Sequence, residues 1–324
     1  MAKYVTVFTA ISIAMLLLCG CQEETAKPVK SEEKQPLITQ PAEPEAAITQ
    51  VPEIVTPTEP KKTKTLPDYY DKYAVLLKKY VNDNGMVDYA KLRRKRPEIK
   101  NLLDHLAKLD PKTYQSWSKE DKIALWINAY NIQMLNVITK NYPIESSRFM
   151  RVLWPPTSIR HVDRNIGGIK KQKFIVMDEE FTLEEIEKRF LRDQFDEPRA
   201  LLAITHASLS SPIPRNKPYS GNELDKQLDE QVRNFLSSEK GFRIQRNKSV
   251  VALSAIFQAS WHGKYFVSKY NTNKKFKNYE TNQRAVLNFV SKYVSRRNAN
   301  YLELENYEVA FIKYDWRLND SSEK

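Results

Sequence analysis

Glycine and cysteine are both scarce in this chain of 324 residues. Of the seven glycines only Gly167 and Gly168 are adjacent, so no glycine-rich phosphate-binding loop of the Walker or dinucleotide type can form. We therefore expect no nucleotide-dependent chemistry. The only two cysteines are Cys19 and Cys21, so the chain after residue 21 can provide neither a disulfide nor a cysteine-ligated metal site.

The N-terminal segment has the pattern of a bacterial lipoprotein signal. Lys3 supplies a positive start, an apolar run follows from Val5 to Leu18, and Gly20 stands directly before Cys21. In lipoprotein processing the cysteine thiol is linked to diacylglycerol and the chain is then cut just before it. The run is too short to span a bilayer. We expect a signal peptide over residues 1–20 and a palmitate-type lipid anchor on Cys21; an ordinary secretory signal is the alternative.

Aromatic residues are absent between Gln22 and Leu66, a stretch built from Pro, Glu, Lys, Thr, Ala and Gln. Such a segment cannot bury enough apolar surface to offset its conformational entropy, so we predict a disordered tether over residues 21–66. Tyrosine, tryptophan and leucine become frequent after Pro67, and no second linker follows. Residues 67–324 are therefore predicted to form one globular domain, held to a membrane of the cell envelope at the outer membrane or the periplasmic face.

The chain is strongly basic, with a formal net charge of +12. Basic residues cluster at 93–96 and at Arg296 and Arg297. For an exported protein we expect anionic phospholipid, lipopolysaccharide, another anionic envelope component or a second envelope protein as partner, and no nucleic acid. The alternative is that these side chains form solvated faces without a specific ligand.

Hydrophobic periodicity indicates more helix than strand. Helices are predicted near residues 68–81, 97–109, 118–141, 182–192, 222–235, 250–257 and 281–294. Strands are predicted near residues 174–176, 201–205, 242–244 and 307–314. The pattern predicts an α+β fold, a helix-rich single globular domain with a small, mostly antiparallel sheet.

The helix predicted at 118–141 is apolar almost all round, yet Asn128 and Asn131 lie three residues apart within it. A buried amide without partners costs about 1–3 kcal/mol, so both side chains must bind something definite. Either they line a pocket and orient a catalytic group, or they hold loop backbone against the helix.

Histidine and serine come together after the strand predicted at 201–205, where His206 precedes Ser208, Ser210 and Ser211. A serine beside a histidine could form a nucleophilic pair, but no orienting acid stands at a recognisable spacing and the Gly-x-Ser-x-Gly elbow is missing. A hydroxyl-rich turn with a hydrogen-bonded histidine is the alternative. The remaining histidines lack metal-ligand spacing, so we predict no metal and no cofactor.

Several strings spread over the folded part resemble the domain-of-unknown-function family 547. They are Leu125-Trp126-Ile127-Asn128-Ala129-Tyr130-Asn131, Tyr142-Pro143, Thr182 to Glu187, Leu191-Arg192, Pro198-Arg199 and Tyr314-Asp315-Trp316. The bacterial members are commonly exported or lipid-anchored, and the family has no established activity. We predict a pocket lined by Asn128, Tyr130, Asn131, Arg192 and Arg199, all of which lie in these strings.

The chain departs from the family pattern where chemistry would be expected. Lys188 stands where members usually carry a histidine, and His206 and Ser211 stand where they usually carry cysteines. A serine and a histidine do not replace a thiolate paired with imidazole. We therefore expect a binding or interaction domain with a degenerate family site. The alternative is a hydrolase or transferase using His206 with a serine such as Ser211, helped by Glu187 or Lys188.

Overall fold

The computed structural model describes residues 69–322. The predicted signal peptide (1–20), the lipid attachment at Cys21 and the predicted tether (21–66) lie outside the described residues. No helix among residues 69–322 combines the length and the apolar character needed to cross a membrane.

Within this range the α+β prediction is confirmed, because helices dominate and the strands form two small sheets. The α-helices are α1 (Tyr69–Tyr80), α2 (Tyr89–Leu92), α3 (Arg96–Ala107), α4 (Pro111–Gln115), α5 (Lys119–Lys140), α6 (Ile159–Asn165), α7 (Leu183–Glu185), α8 (Leu224–Ser237), α9 (Val267–Tyr270), α10 (Thr281–Ser291) and α11 (Arg296–Leu302). The strands are β1 (Lys173–Val176), β2 (Glu179–Thr182), β3 (Phe242–Gln245), β4 (Val250–Ser254) and β5 (Glu308–Ile312). A π-helix, Ile186–Gln194, continues α7.

Helix α5 forms the centre of the larger hydrophobic core. It begins at the predicted cap, where the Ser118 Oγ accepts a hydrogen bond of 3.0 Å from the Asp121 N–H. Every residue from Ile123 to Thr139 is buried, so the helix is surrounded by protein on all sides. A second apolar cluster lies around α10, α8 and the larger sheet.

The strands pair in two separate sheets. Strands β1 and β2 form an antiparallel hairpin, while β4 lies between β3, which is antiparallel to it, and β5, which is parallel to it. The helix predicted at 250–257 is wrong, because Val250–Ser254 is the central strand and only Ala255–Phe257 continues as a 3-10 turn. A strand covered on both faces has a continuous apolar run, which periodicity cannot distinguish from a buried helix.

The strand predicted at 201–205 is also wrong. Pro198–Leu202 is a 3-10 helix, and the chain beyond it is irregular up to His206. The side chain of Asn131 replaces a neighbouring strand here, since its amide bonds the Ala203 carbonyl at 3.0 Å and its oxygen accepts from the Thr205 N–H at 2.9 Å. The segment is apolar because it is buried. Its backbone hydrogen bonds, however, are made with the side chain of Asn131 and not with a neighbouring strand.

The C-terminal segment from Tyr314 to Asp320 connects the parts of the domain that carry the candidate site. The Trp316 carbonyl accepts a hydrogen bond from the Ile159 N–H at 2.9 Å, at the start of α6. The Arg317 carbonyl accepts from the Leu209 N–H at 2.8 Å, in the loop that follows His206. The segment therefore fixes both loops relative to each other.

Candidate functional site

Three side chains from distant parts of the chain meet in a buried polar cluster. They are Glu187 on the π-helix, His206 after the irregular 203–205 segment, and His262 in the loop after β4. One ligand atom from each residue lies within 4.8 Å of the others. All three side chains are buried, with His262 only 1% exposed. We call these residues the Glu-His-His cluster.

Glu187 is held by cations on two sides. The Lys170 Nζ lies 2.5 Å from its Oε2, and the Arg192 Nη1 lies 3.9 Å from its Oε1. The π-helix contributes to this arrangement, because its i to i+5 hydrogen bonding brings residues five apart onto one face. Oε1 also faces His262, whose Nδ1 is 3.4 Å away. One carboxylate oxygen thus bonds lysine while the other points into the cluster.

His206 is held by its backbone, by stacking on one face of its ring and by a contact at its Nδ1. Its N–H donates to the Ser211 Oγ at 2.7 Å, and the following Ala207 has a φ of +53°. A non-glycine residue in the left-handed region is strained, and such strain often accompanies functional sites. The imidazole stacks on Trp261, with ring centres 5.4 Å apart, and its Nδ1 lies 3.5 Å from the Tyr314 hydroxyl.

Burial lowers the pKa of both His206 and His262 well below the usual range, and the nearby Lys170 charge lowers both further. Both rings are therefore neutral at pH 7. The Nε2 of His206, both ring nitrogens of His262 and the Tyr130 hydroxyl are buried without a hydrogen-bond partner among the described residues. Unpartnered buried polar atoms are uncommon and call for an explanation such as a bound water, ion or ligand.

A wide cleft lies on the other side of Trp261. It has a volume of about 770 Å³ and is lined by aromatic and basic side chains. The Trp261 and Trp316 rings stack with centres 5.7 Å apart and an angle of 9°. The Arg160 guanidinium lies 4.7 Å from the centre of the Trp316 ring and 5.7 Å from that of Trp154. We call this feature the tryptophan cleft; Trp261 separates it from the Glu-His-His cluster.

The predicted serines are close to His206 but bond elsewhere. The Ser208 Oγ donates to the Tyr314 hydroxyl at 2.9 Å, and the Ser211 Oγ donates to the Pro212 carbonyl at 3.0 Å. The Ser210 Oγ accepts from the Asp315 N–H at 2.9 Å. Among the described residues, none of these three hydroxyls bonds the imidazole of His206.

The other predicted site residues lie outside the Glu-His-His cluster. The Asn128 amide binds the Tyr219 backbone at both its N–H and its carbonyl, at 3.0 and 2.8 Å, and Asn131 holds the segment before His206. Both line a cavity of about 10 Å³, which is the size of one water. Arg199 bonds Glu197, Asp225 and Asp229 away from the cluster, and Lys188 is exposed.

Sequence reasoning missed His262, Trp261, Tyr314 and Lys170 as parts of one site. His262 has no metal-ligand spacing from any other histidine, and its two cluster partners are 56 and 75 residues away in the numbering. Trp261 and His262 are adjacent in the chain, but nothing in the sequence relates this pair to His206 or Glu187.

Comparison with known protein families finds a match, which covers part of the chain. Residues 114–236 match the DUF547 family, which is described as a protein of unknown function. This stretch of the chain is similar to the DUF547 family. The matched residues include all of α5, Glu187 and His206, whereas Trp261, His262 and Tyr314 lie beyond them. No curated protein and no solved structure matches the chain.

Proposed function

We propose that this protein is a lipid-anchored protein of the cell envelope whose DUF547 domain binds an anionic saccharide polymer in the tryptophan cleft. The lining of the cleft is the observation that supports the proposed saccharide binding. Trp154, Trp261 and Trp316 contribute partly exposed aromatic surface to the cleft, and Arg160 and Lys313 stand among them. Concave sites lined by aromatic rings with a few polar groups are the usual form of ligand sites.

The charge of the cleft favours an anionic ligand. Neither Arg160 nor Lys313 forms an ion pair with another of residues 69–322, whereas Asp315 at the same rim is paired with Arg317 at 2.6 Å. Free cations beside rigid indole rings could pair with carboxylates or phosphates while the rings pack on the apolar faces of sugars. Stacking faces with cations also suit single-stranded nucleic acid, but the export signal predicted from Lys3 to Cys21 argues for an envelope polymer.

Binding to purified peptidoglycan sacculi tests this proposal. We expect the full chain to co-sediment with sacculi, and we expect Trp316→Ala and Arg160→Ala each to weaken binding about tenfold, as is usual for central aromatic and arginine contacts. Added salt should weaken the wild-type interaction, because part of it is electrostatic.

Arg94→Ala is the matched control, since Arg94 is an exposed cation of the basic 93–96 cluster outside the cleft. It should bind sacculi like the wild type. A wild-type chain that does not co-sediment, or an Arg94 variant that loses as much binding as the Arg160 variant, would contradict a saccharide site in the cleft. Circular dichroism spectra verify that each variant is folded.

A hydrolase or transferase is the second candidate, and one contact supports it. The Tyr314 hydroxyl lies between the Ser208 Oγ, at 2.9 Å, and the His206 Nδ1, at 3.5 Å, so a proton could pass from serine to histidine through the phenol. We rank it second because burial lowers the pKa of His206, which makes it a weak base near neutral pH.

If Ser208 is a nucleophile, the wild-type chain should hydrolyse the ester probe p-nitrophenyl acetate above the uncatalysed rate. Ser208→Ala should then remove at least about a hundredfold of that rate, the scale on which a catalytic group contributes. Ser237→Ala, at an exposed serine in α8, should leave it unchanged. Equal rates in all three proteins would exclude Ser208 as the nucleophile.

A further inference from the structure

We propose that Glu187, His206 and His262 bind a divalent transition-metal ion of the zinc type. One carboxylate oxygen and two imidazole nitrogens are a donor set that such ions take in proteins. The three ligand atoms already lie within 4.8 Å of one another, without any ligand spacing in the sequence to indicate it. This inference is independent of the saccharide proposal, because it concerns the buried side of Trp261.

One distance within the cluster equals the separation of two ligands on a metal ion. Two ligands of a tetrahedral zinc ion, each about 2.0–2.1 Å from the metal, are about 3.3–3.4 Å apart. The Glu187 Oε1 and the His262 Nδ1 lie 3.4 Å apart, yet they do not form a hydrogen bond. The pair thus has the separation of two ligands that share an ion.

The unpartnered nitrogens point to the same conclusion. His206 presents its Nε2 without a hydrogen-bond partner, while its Nδ1 faces the Tyr314 hydroxyl at 3.5 Å. Metal-bound histidines commonly use one ring nitrogen as ligand and bond an orienting group with the other. Tyr314, itself bonded by the Ser208 Oγ, fits that orienting role.

Tyr130 is a further buried polar side chain without a hydrogen-bond partner among residues 69–322. The pKa of its hydroxyl is raised by burial and then by the negative charge of Glu187. Three protein ligands plus one position for water or another oxygen is a common coordination for zinc.

Lys170 and Arg192 place two positive charges beside Glu187, and these charges disfavour the binding of a metal cation. Their effect can be tested. Lys170 bonds Oε2 of Glu187 at 2.5 Å, and the Arg192 Nη1 lies 3.9 Å from Oε1. The Lys170 side chain is 35% exposed and can turn toward solvent, whereas Arg192 is held over the Tyr265 ring at 3.7 Å. Removing the Lys170 charge should therefore strengthen metal binding, by about tenfold or more at this distance.

Titration of the full chain with Zn²⁺ and Co²⁺ after treatment with a chelator tests the site. We expect one ion per chain, with the visible absorption of tetrahedral Co²⁺ as the readout. Glu187→Gln, His206→Gln and His262→Gln should each weaken binding at least about tenfold, which is the lower end of what losing a contact at a metal site costs. Lys170→Gln should bind more tightly than the wild type.

Two histidines outside the cluster provide matched controls. His161 is buried and bonds the Pro155 carbonyl at 3.0 Å, and His105 is exposed and bonds the Asn101 carbonyl at 2.8 Å. His161→Gln and His105→Gln should bind the ion like the wild type, with melting temperatures without metal showing that every variant folds. No stoichiometric binding in either the wild type or Lys170→Gln, or undiminished binding in His206→Gln and His262→Gln, would overturn the proposal.

Discussion

A Cys21→Ala variant is expected to lose all of its covalent lipid and to keep its predicted signal peptide, because the cut follows lipid attachment. We expect Cys21 to carry the lipid, because Cys19 is predicted to be removed with the signal peptide and the chain beyond residue 21 contains no other cysteine. Metabolic labelling with an alkyne analogue of palmitate measures the effect directly. The wild type should be labelled and the variant unlabelled.

Cys19→Ala is the matched control, because Cys19 stands two residues earlier and is expected to be removed with the signal peptide. It should be labelled like the wild type and should remain with the membranes. A wild-type chain without label would contradict the lipid anchor, and label lost equally from both variants would place the processing point elsewhere.

Replacing Trp126 with alanine should lower the free energy of unfolding by about 3–5 kcal/mol, the usual cost of deleting a large buried aromatic side chain. Trp126 is fully buried in α5 and stacks on Phe190, with ring centres 3.7 Å apart and an angle of 12°. Its edge also packs against Phe181, and its Nε1 donates to the Tyr114 hydroxyl at 2.8 Å. Alanine would leave a cavity between α5 and the π-helix that carries Glu187.

Urea unfolding followed by circular dichroism measures the loss without relying on tryptophan fluorescence. Trp126→Phe keeps most of the ring volume and loses the hydrogen bond, so about 1–2 kcal/mol is expected. Trp154→Ala, at a partly exposed ring of the tryptophan cleft, should cost under about 1 kcal/mol. Similar losses for Trp126→Ala and Trp154→Ala would mean that α5 is not the centre of the stability of this domain.

The parts of the fold that follow local rules could be predicted from the sequence. The cap at Ser118 starts α5, and the Thr182–Glu185 capping box starts α7, because each uses hydrogen bonds between residues three apart. The strand predicted near 307–314 is confirmed as β5 over Glu308–Ile312. The failures at 201–205 and 250–257 have one cause, since burial on all sides gives an apolar run whether the backbone is strand, helix or irregular.

The candidate site could be predicted only in part. Asn131 was singled out because an amide in an apolar helix must have partners, and it bonds the segment that leads to His206. Nothing in the sequence relates His206 to His262 or Trp261, because packing of loops against each other brings them together. Sequence spacing alone therefore predicts no metal, whereas the metal proposal rests on the packing that brings these histidines together.

The sequence by itself determined a helix-rich α+β domain, a central helix that is apolar almost all round and a chain without a thiol beyond Cys21. Composition and short-range spacing are enough for each of these. Only the tertiary structure decided that Glu187, His206 and His262 share a buried cluster and that three tryptophans line one cleft beside it. The reason is physical: the C-terminal segment from Tyr314 to Asp320 joins loops far apart in the chain through backbone hydrogen bonds, and these depend on no residue pattern.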